Sequence, residues 1–374
     1  VGYGPVEQSM RGPAEAETPN TETERGLGCD AHHRNSGQLR LGMLITQSMH
    51  ASFLAGWILV LTAISLPAAE REFLPGVKRV VFLGDSITYS GQYIEYIETC
   101  AALQFPEKRI EFLNLGLPSE TVSGLSEPGH ANGAFPRPDL HERLARVLAE
   151  TKPDLIVACY GMNDGIYYPF GPERFQKFKD GMTRLRERAG AAGAKVLHVT
   201  PPVFDPVPLA GRTLPAGRDE YREPYEGYDD VLERYSAWLI GQRTKGWEVV
   251  DVHGPIKRHL AQARSTNAAY RLAGDGVHIN ATGHWLMARE ILVQLGAPAK
   301  ISAMESPTGL WAGQTNGREI LKLVQDQQRM LKDAWLNKVG HQRPGMNKGL
   351  PLADAEKRSA ELGEKIRALA RTER

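Results

Sequence analysis

Ser86 is the residue of this chain best placed to act as a nucleophile. It ends Gly84-Asp85-Ser86, directly after the apolar run Val80-Val81-Phe82-Leu83. Small polar residues continue to Thr88, and apolar and aromatic ones return at Tyr93, Ile94, Tyr96 and Ile97 near helical spacing. A continuous apolar run suits a strand buried on both faces, so the stretch predicts strand, tight turn, helix. In an open parallel sheet that turn lies at the carboxyl edge, where ligands bind. Free N–H groups at the start of a helix favour negative charge there. Gly-Asp-Ser also suits an ordinary turn, so a catalytic reading needs partners elsewhere in the chain.

Three further polar clusters supply them. Asn114-Leu115-Gly116 ends a second apolar run, Gly161-Met162-Asn163-Asp164 ends a third, and Asp275-Gly276-Val277-His278 precedes a late helical pattern. Each also has a plain structural reading: a turn at Asn114 and Gly116, a helix cap at Asn163 and Asp164, a loop histidine at His278. Together they make a hydrolytic set. A serine hydroxyl is a poor nucleophile until a base takes its proton, and His278 can be that base. Asp275 can fix the imidazole tautomer and stabilise the imidazolium that forms. The Ser86 N–H, the Gly116 N–H and the Asn163 side-chain amide are three donors that could converge on a tetrahedral oxyanion. Asp85, beside the nucleophile, is expected to bond backbone groups and fix the turn; Asp164 is a second supporting carboxylate.

In order and spacing style these four clusters resemble the blocks of the SGNH (GDSL-type) hydrolases. Gly84-Asp85-Ser86 is similar to the nucleophile block, Gly116 to the second, Gly161-x-Asn163-Asp164 to the third and Asp275-x-x-His278 to the last. The resemblance covers roughly residues 79–295. It implies a three-layer α/β/α, flavodoxin-like fold with a five-stranded parallel sheet. It also implies ester hydrolysis through an acyl-serine, without metal or organic cofactor. The substrate stays open, because the family acts on lipids, acetylated sugars and small esters.

The elements that must position these residues are legible in the same way. Apolar runs recur at 80–83, 110–115, 155–160, 196–200 and 247–252, separated by helical patterns at 93–103, 140–150, 173–189 and 229–240. A further helix is predicted at 281–295, with Asn280 as N-cap and Gly296 just past its end. Such alternation means a parallel sheet with helices on both faces. Two long connections, 118–138 and 204–227, leave the sheet at the edge that holds Ser86; long loops in compact domains tend to carry function. After Pro298 the chain becomes charged. Helices at 318–337 and 353–370, separated by the breaker-rich GHQRPGMNKGLP, predict a hairpin folded back onto the main domain near helix 281–295. Its basic loop at His341 and Arg343 is expected to approach the cleft.

The N-terminal part reads differently. Residues 1–48 show no hydrophobic period and are expected to be disordered, or an over-extended reading frame. The apolar segment 51–69, ASFLAGWILVLTAISLPAA, resembles a secretory signal peptide. An uncleaved membrane anchor and a buried helix are its alternatives. The expected organisation is therefore 1–48, a signal segment or anchor at 49–69, a hydrolase domain at 70–300 and a helical extension at 301–374, in a secreted or periplasmic protein.

Composition narrows the classes further. The 374 residues are 41% hydrophobic and 24% charged, with formal net charge +1, so nothing points to a nucleic-acid partner. A membrane is a partner only if the apolar segment is an uncleaved anchor. Cys29, Cys100 and Cys159 make neither a metal-ligand spacing nor a disulfide framework, although a Cys100–Cys159 bridge is an open alternative. His284, His253 and His259 are discounted as ligands or bases. Two rivals remain. A flavodoxin-like cofactor binder lacks both G-x-G-x-x-G and a P-loop and leaves Asp275-x-x-His278 unexplained. A non-catalytic carbohydrate-binding protein leaves the hydrolytic set without a use. The favoured substrate is an acyl group, acetyl above all, on carbohydrate, because the long loops offer Tyr and Arg rather than an apolar lid. A lipid or lysophospholipid ester is the alternative.

Overall fold

The computed structural model describes residues 72–372; the segments expected at 1–48 and 49–69 lie outside them. Five strands form one all-parallel sheet in the order β2-β1-β3-β4-β5. They are β1 (Arg79–Gly84), β2 (Glu111–Asn114), β3 (Leu155–Cys159), β4 (Lys195–Val199) and β5 (Glu248–Val250). The central strands β1 and β3 are buried along nearly their whole length, as their unbroken apolar runs require.

Nine helices are named here. They are α1 (Ser86–Ser90), α2 (Gln92–Gln104), α3 (Leu140–Thr151), α4 (Pro172–Ala191), α5 (Tyr228–Gly241), α6 (His253–Thr266), α7 (Ala281–Gln294), α8 (Gly317–Val339) and α9 (Leu352–Arg371). On one side of the sheet α7 packs on α2 and α6. On the other, α4 packs on α3 and on α5, where Phe178 and Tyr235 stack with centroids 4.5 Å apart. Caps account for several boundaries. The Asp139 carboxylate accepts from His141 N–H and the Asn280 side chain accepts from Gly283 N–H, each satisfying one of the orphan donors of a helix start. Gly296, at φ +96°, leaves α7 in a conformation other residues resist.

Three expectations need correction. The helix after Ser86 is two helices: the single turn α1 stops at Gly91, whose left-handed φ of 79° redirects the chain into α2. The polar stretch from His253 is helix α6, missed because only His253, Ile256 and Leu260 of it are buried and because Gly254 and Pro255 look like breakers. Proline is tolerated in a first turn, where its N–H would be unpaired anyway. Third, the C-terminal hairpin packs mainly on α2 and the edge strand β2, with α3 beyond, rather than on α7. An edge strand exposes unpaired backbone groups, and Gln328 of α8 meets one of them, donating to Phe112 O at 2.7 Å. Cys100 and Cys159 are buried free thiols.

Candidate active site

Gly84 ends β1 and has no room for a side chain: a Cβ there would lie 2.2 Å from Thr88 Oγ1 and 2.6 Å from Cys159 O. The chain can therefore turn sharply against β3 and present Ser86 at the carboxyl edge. Asp85 caps the turn, its Oδ1 accepting from Ile87 N–H at 2.9 Å. Burial pushes the Asp85 carboxyl up to about 7, against that hydrogen bond and the nearby His278. Asp85 thus holds backbone in the turn beside Ser86.

Ser86, His278 and Asp275 form one hydrogen-bonded chain. Ser86 Oγ lies 2.7 Å from His278 Nε2, and His278 Nδ1 lies 2.6 Å from Asp275 Oδ2. The other Asp275 oxygen accepts from Val277 N–H at 3.0 Å and His278 N–H at 2.8 Å. Partial burial would raise the Asp275 carboxyl, but the His278 hydrogen bond and charge and these backbone donors outweigh it and lower it to about 2. Burial also opposes the imidazolium of His278, yet Asp275 outweighs it and the histidine is raised above its ordinary value. The loop bearing both residues is stapled to the connection after β4. Asp205 N–H donates to Gly276 O at 2.8 Å, and a Cβ on Gly276 would lie 2.5 Å from Asp205 O. Arg264 of α6 in turn binds the Asp205 carboxylate and Tyr270 O.

The donors expected to converge on an oxyanion differ in what they bond in the structure. Asn163 is buried. Its Nδ2 donates to Glu120 O at 3.2 Å and its Oδ1 accepts from Tyr167 OH at 3.2 Å. These two bonds fix the amide orientation and leave one N–H of the Nδ2 group for another acceptor. Gly116 departs from expectation: its N–H donates to Asn114 Oδ1 at 2.9 Å. This glycine is required by packing, since a Cβ would lie 2.4 Å from Tyr89 N and 2.6 Å from Thr88 C. Asn114 completes the arrangement by donating to Thr88 O at 2.8 Å, supplying a carbonyl of α1 with the partner so short a helix lacks. The backbone beside Asn163 is instead the turn 117–120, where Glu120 N–H donates to Leu117 O and Ser119 has φ +70° after Pro118. Proline followed by a left-handed residue is the pattern of a type II turn, in which the peptide between them is flipped.

Asp164 ties the third block to the loop after β2, accepting from Val122 N–H at 2.9 Å and Ser123 N–H at 2.8 Å. Burial raises it to about 6 against those bonds. Beneath the same loop lies a network with no signal in the sequence. Glu120 takes Arg143 in a two-pronged pair at 2.6 and 2.8 Å and accepts from Tyr160 OH at 2.6 Å. Arg143 and Glu120 are both fully buried. The hairpin reaches this region too. Lys332 Nζ donates to Tyr89 O at 2.8 Å and sits 3.9 Å from the Tyr89 ring centroid, while the Arg343 guanidinium lies 5.5 Å from that of Phe135.

Two cavities open on the described part of the chain. One of about 300 Å³ adjoins the triad and is lined by Ile87, Ser90, Gln92, His278, Asn280 and His284 among others. A larger one of about 540 Å³ lies between α2, the start of β2 and the hairpin. It contains no residue of the triad and faces the amino ends of the strands, opposite to Ser86.

Residues 82–286, more than half of the chain, match the GDSL-like Lipase/Acylhydrolase family. The chain belongs to this family. It is an ester hydrolase with the family's five-stranded α/β/α fold. Among solved structures it is similar to BT4096, a gut microbial diltiazem-metabolizing enzyme, with 20% identity and a TM-score of 0.47. That match covers 59% of this chain and 47% of BT4096, so the chain spans about half of that protein. A catalytic mutant of Axe2, an acetylxylan esterase from Geobacillus stearothermophilus, is 19% identical over 59% of this chain and 95% of its own, with a TM-score of 0.44. The acetyl xylan esterase AlAXEase is 19% identical over 57% and 98%, with a TM-score of 0.42. No curated protein matches the chain.

Proposed function

We propose that this GDSL hydrolase cleaves carboxylic esters through an acyl-Ser86 intermediate, and that its substrates are acyl groups, acetyl above all, on carbohydrate. The observation that carries the catalytic assignment is the chain from Ser86 Oγ through His278 to Asp275, with links of 2.7 and 2.6 Å. His278 Nε2 takes the Ser86 proton as Oγ attacks the carbonyl carbon, and Asp275 stabilises the imidazolium. The carbonyl oxygen becomes an oxyanion held by Ser86 N–H and the remaining N–H of Asn163. The Ser119 N–H takes the place expected for Gly116, whose own N–H is engaged. His278 then gives its proton to the leaving alcohol. Water repeats the cycle on the acyl-enzyme and frees Ser86.

The surroundings support a polar substrate. Half-buried Tyr167, Tyr168 and Tyr225 stand in the segments that follow β3 and β4. Val207 is the one large hydrophobic side chain that is exposed among the described residues, which gives a fatty chain or a lipid surface little to bind. The apolar stretch at 51–69 favours an exported enzyme, with membrane anchoring as the other outcome. Rates on 4-nitrophenyl esters of increasing chain length, followed by acetate release from acetylated polysaccharides, test the reading. Turnover should be highest at acetyl and extend to the polysaccharide. Rates that climb with chain length would replace it with a lipid acyl hydrolase.

A further inference from the structure

We infer that the 300 Å³ pocket beside His278 is the subsite for the alcohol half of the ester, and that it takes an uncharged polyol such as one ring of a carbohydrate. The inference rests on the proposed roles of Ser86 and His278. The pocket is lined by the base but by neither Asn163 nor the turn 117–120. It borders the base that must deliver a proton to the leaving oxygen and is set apart from the donors assigned to the carbonyl oxygen. As the carbon–oxygen bond breaks, the acyl group stays on Ser86 and the alcohol, with the proton from Nε2, is left facing this pocket.

Its chemistry follows from which protons are already committed. Ser90 Oγ donates to Ile87 O at 2.8 Å and lies 2.9 Å from His284 Nε2. The serine has one proton, so the hydrogen between Ser90 and His284 belongs to the ring nitrogen. Burial supports this by lowering His284 to about 3, which leaves the imidazole neutral. Ser90 is therefore no second nucleophile; it offers the pocket a lone pair. Gln92 also lines the pocket; its Oε1 has no hydrogen-bond partner among the described residues and is closed off from solvent, so a turn of the amide is what brings it to a ligand. Such an atom is costly unless a ligand or water meets it. Asn280 has committed its Oδ1 to Gly283 N–H at 3.1 Å, which leaves its amide hydrogens for a ligand oxygen.

The pocket thus presents two acceptors and an amide donor, with Ile87, Ile279 and Ala281 as apolar wall and no lysine, arginine or carboxylate. Hydroxyl groups satisfy this set. A phosphate head group would meet acceptor oxygens and no lysine or arginine, with only the base itself as a cation, and a fatty chain would leave Gln92 and Ser90 unpaired. The volume lies at the lower end for small-molecule sites and suits one ring.

The test is a specificity ratio. For wild type, Gln92→Met and Ser90→Ala, kcat/KM is measured on a monoacetylated methyl glucoside and on 4-nitrophenyl acetate, which share the acyl group and differ in the alcohol. The ratio of the first to the second should fall at least about tenfold in Gln92→Met and in the same direction in Ser90→Ala, because a site built to bond a hydroxyl discriminates strongly. Ser86→Ala is assayed in parallel. A ratio within about twofold of wild type in both variants, with Ser86→Ala inactive, overturns the subsite alone. Turnover that survives in Ser86→Ala overturns the acyl-serine reading and the subsite with it.

Discussion

Arg143→Met probes the part of the site furthest from any motif. Arg143 and Glu120 are 1% and 0% exposed, and the guanidinium makes both prongs of the pair and a third bond to Leu115 O at 2.7 Å. Methionine keeps much of the side-chain bulk, so the main loss is electrostatic. Removing one partner of a buried pair costs about 3–5 kcal/mol, because the other charge is left without compensation. The Tyr160 hydroxyl still donates to Glu120, which places the expected loss in the lower half of that range. The loss should also depend on pH. Burial already raises Glu120, opposed chiefly by Arg143, and without Arg143 it rises further. Between the unfolded glutamate value of about 4.3 and that raised value, the native state keeps a proton that the unfolded chain has lost. Native stability therefore falls as pH increases. Urea unfolding should show a gap to wild type that is wide at pH 8 and narrower at pH 5, and Glu120→Gln in the Arg143→Met background should recover part of it. The reasoning fails if the variant loses less than about 1 kcal/mol, or if the gap ignores pH.

Four further outcomes follow from the site and the hairpin. Ser86→Ala should keep its fold and lose esterase turnover; more than a few per cent of wild-type activity would remove Ser86 from the mechanism. Asn163→Ala should lower kcat by about 100- to 1,000-fold with little change in KM, since the oxyanion is fully charged only near the transition state; Tyr167→Phe, which frees the amide to rotate, should give a smaller loss of the same kind, and a pure KM effect in either would make Asn163 a substrate-binding residue. Activity should fall as pH drops and His278 takes a proton, with a midpoint above the ordinary histidine value of about 6.5 because Asp275 raises it; full activity at pH 4 would contradict the base role. Truncation after Ala299 should cost solubility or lower Tm by several degrees, as it exposes the apolar surface under Ile320, Val324, Leu331 and Trp335; an unchanged Tm and unchanged kinetics would show that the hairpin supports nothing.

The sheet was legible because β1 and β3 are buried on both faces and must be written as unbroken apolar runs, and because Asn280 and Gly296 bound α7 with residues chosen for their backbone chemistry. The meeting of Ser86 with Asp275 and His278 was legible because a Gly-Asp-Ser turn and an Asp-x-x-His spacing within one loop use residue types that few other tasks need. The oxyanion side was less so, for a physical reason. A glycine in a motif can serve a ligand or make room for a neighbour, and only coordinates show that Gly116 makes room for α1. Ser119 carries a local signal, Pro118 at the second position of a turn, but only the Asn163 bond to Glu120 O shows that this turn stands beside the third block. The pairing of Arg143 with Glu120 spans 23 residues and leaves no periodicity to read. Helix α6 was obscured because two apolar residues, four apart, suffice to dock an otherwise solvated helix.

The hairpin and the turn that bears Ser86 are one mechanical assembly. Strand β2 is an edge, and the open side of an edge strand invites pairing with other chains. Helix α8 lies along it, and Gln328 meets both Phe112 O and the Glu98 carboxyl, at 2.7 and 2.6 Å. Burial pushes that carboxyl up to about 8, against the Gln328 bond, so the contact is made to a neutral acid at pH 7 and spares the interface an unpaired charge. One turn further along α8, Lys332 binds Tyr89 O, in the single turn of helix that begins with Ser86. Asn114, at the end of the same edge strand, holds Thr88 O from the other side. The short helix that begins with Ser86 is therefore gripped between the last residue of β2 and the helix that covers β2. Covering the edge and fixing the position of Ser86 are the same contact surface, which explains why charged helices outside the family match pack where they do.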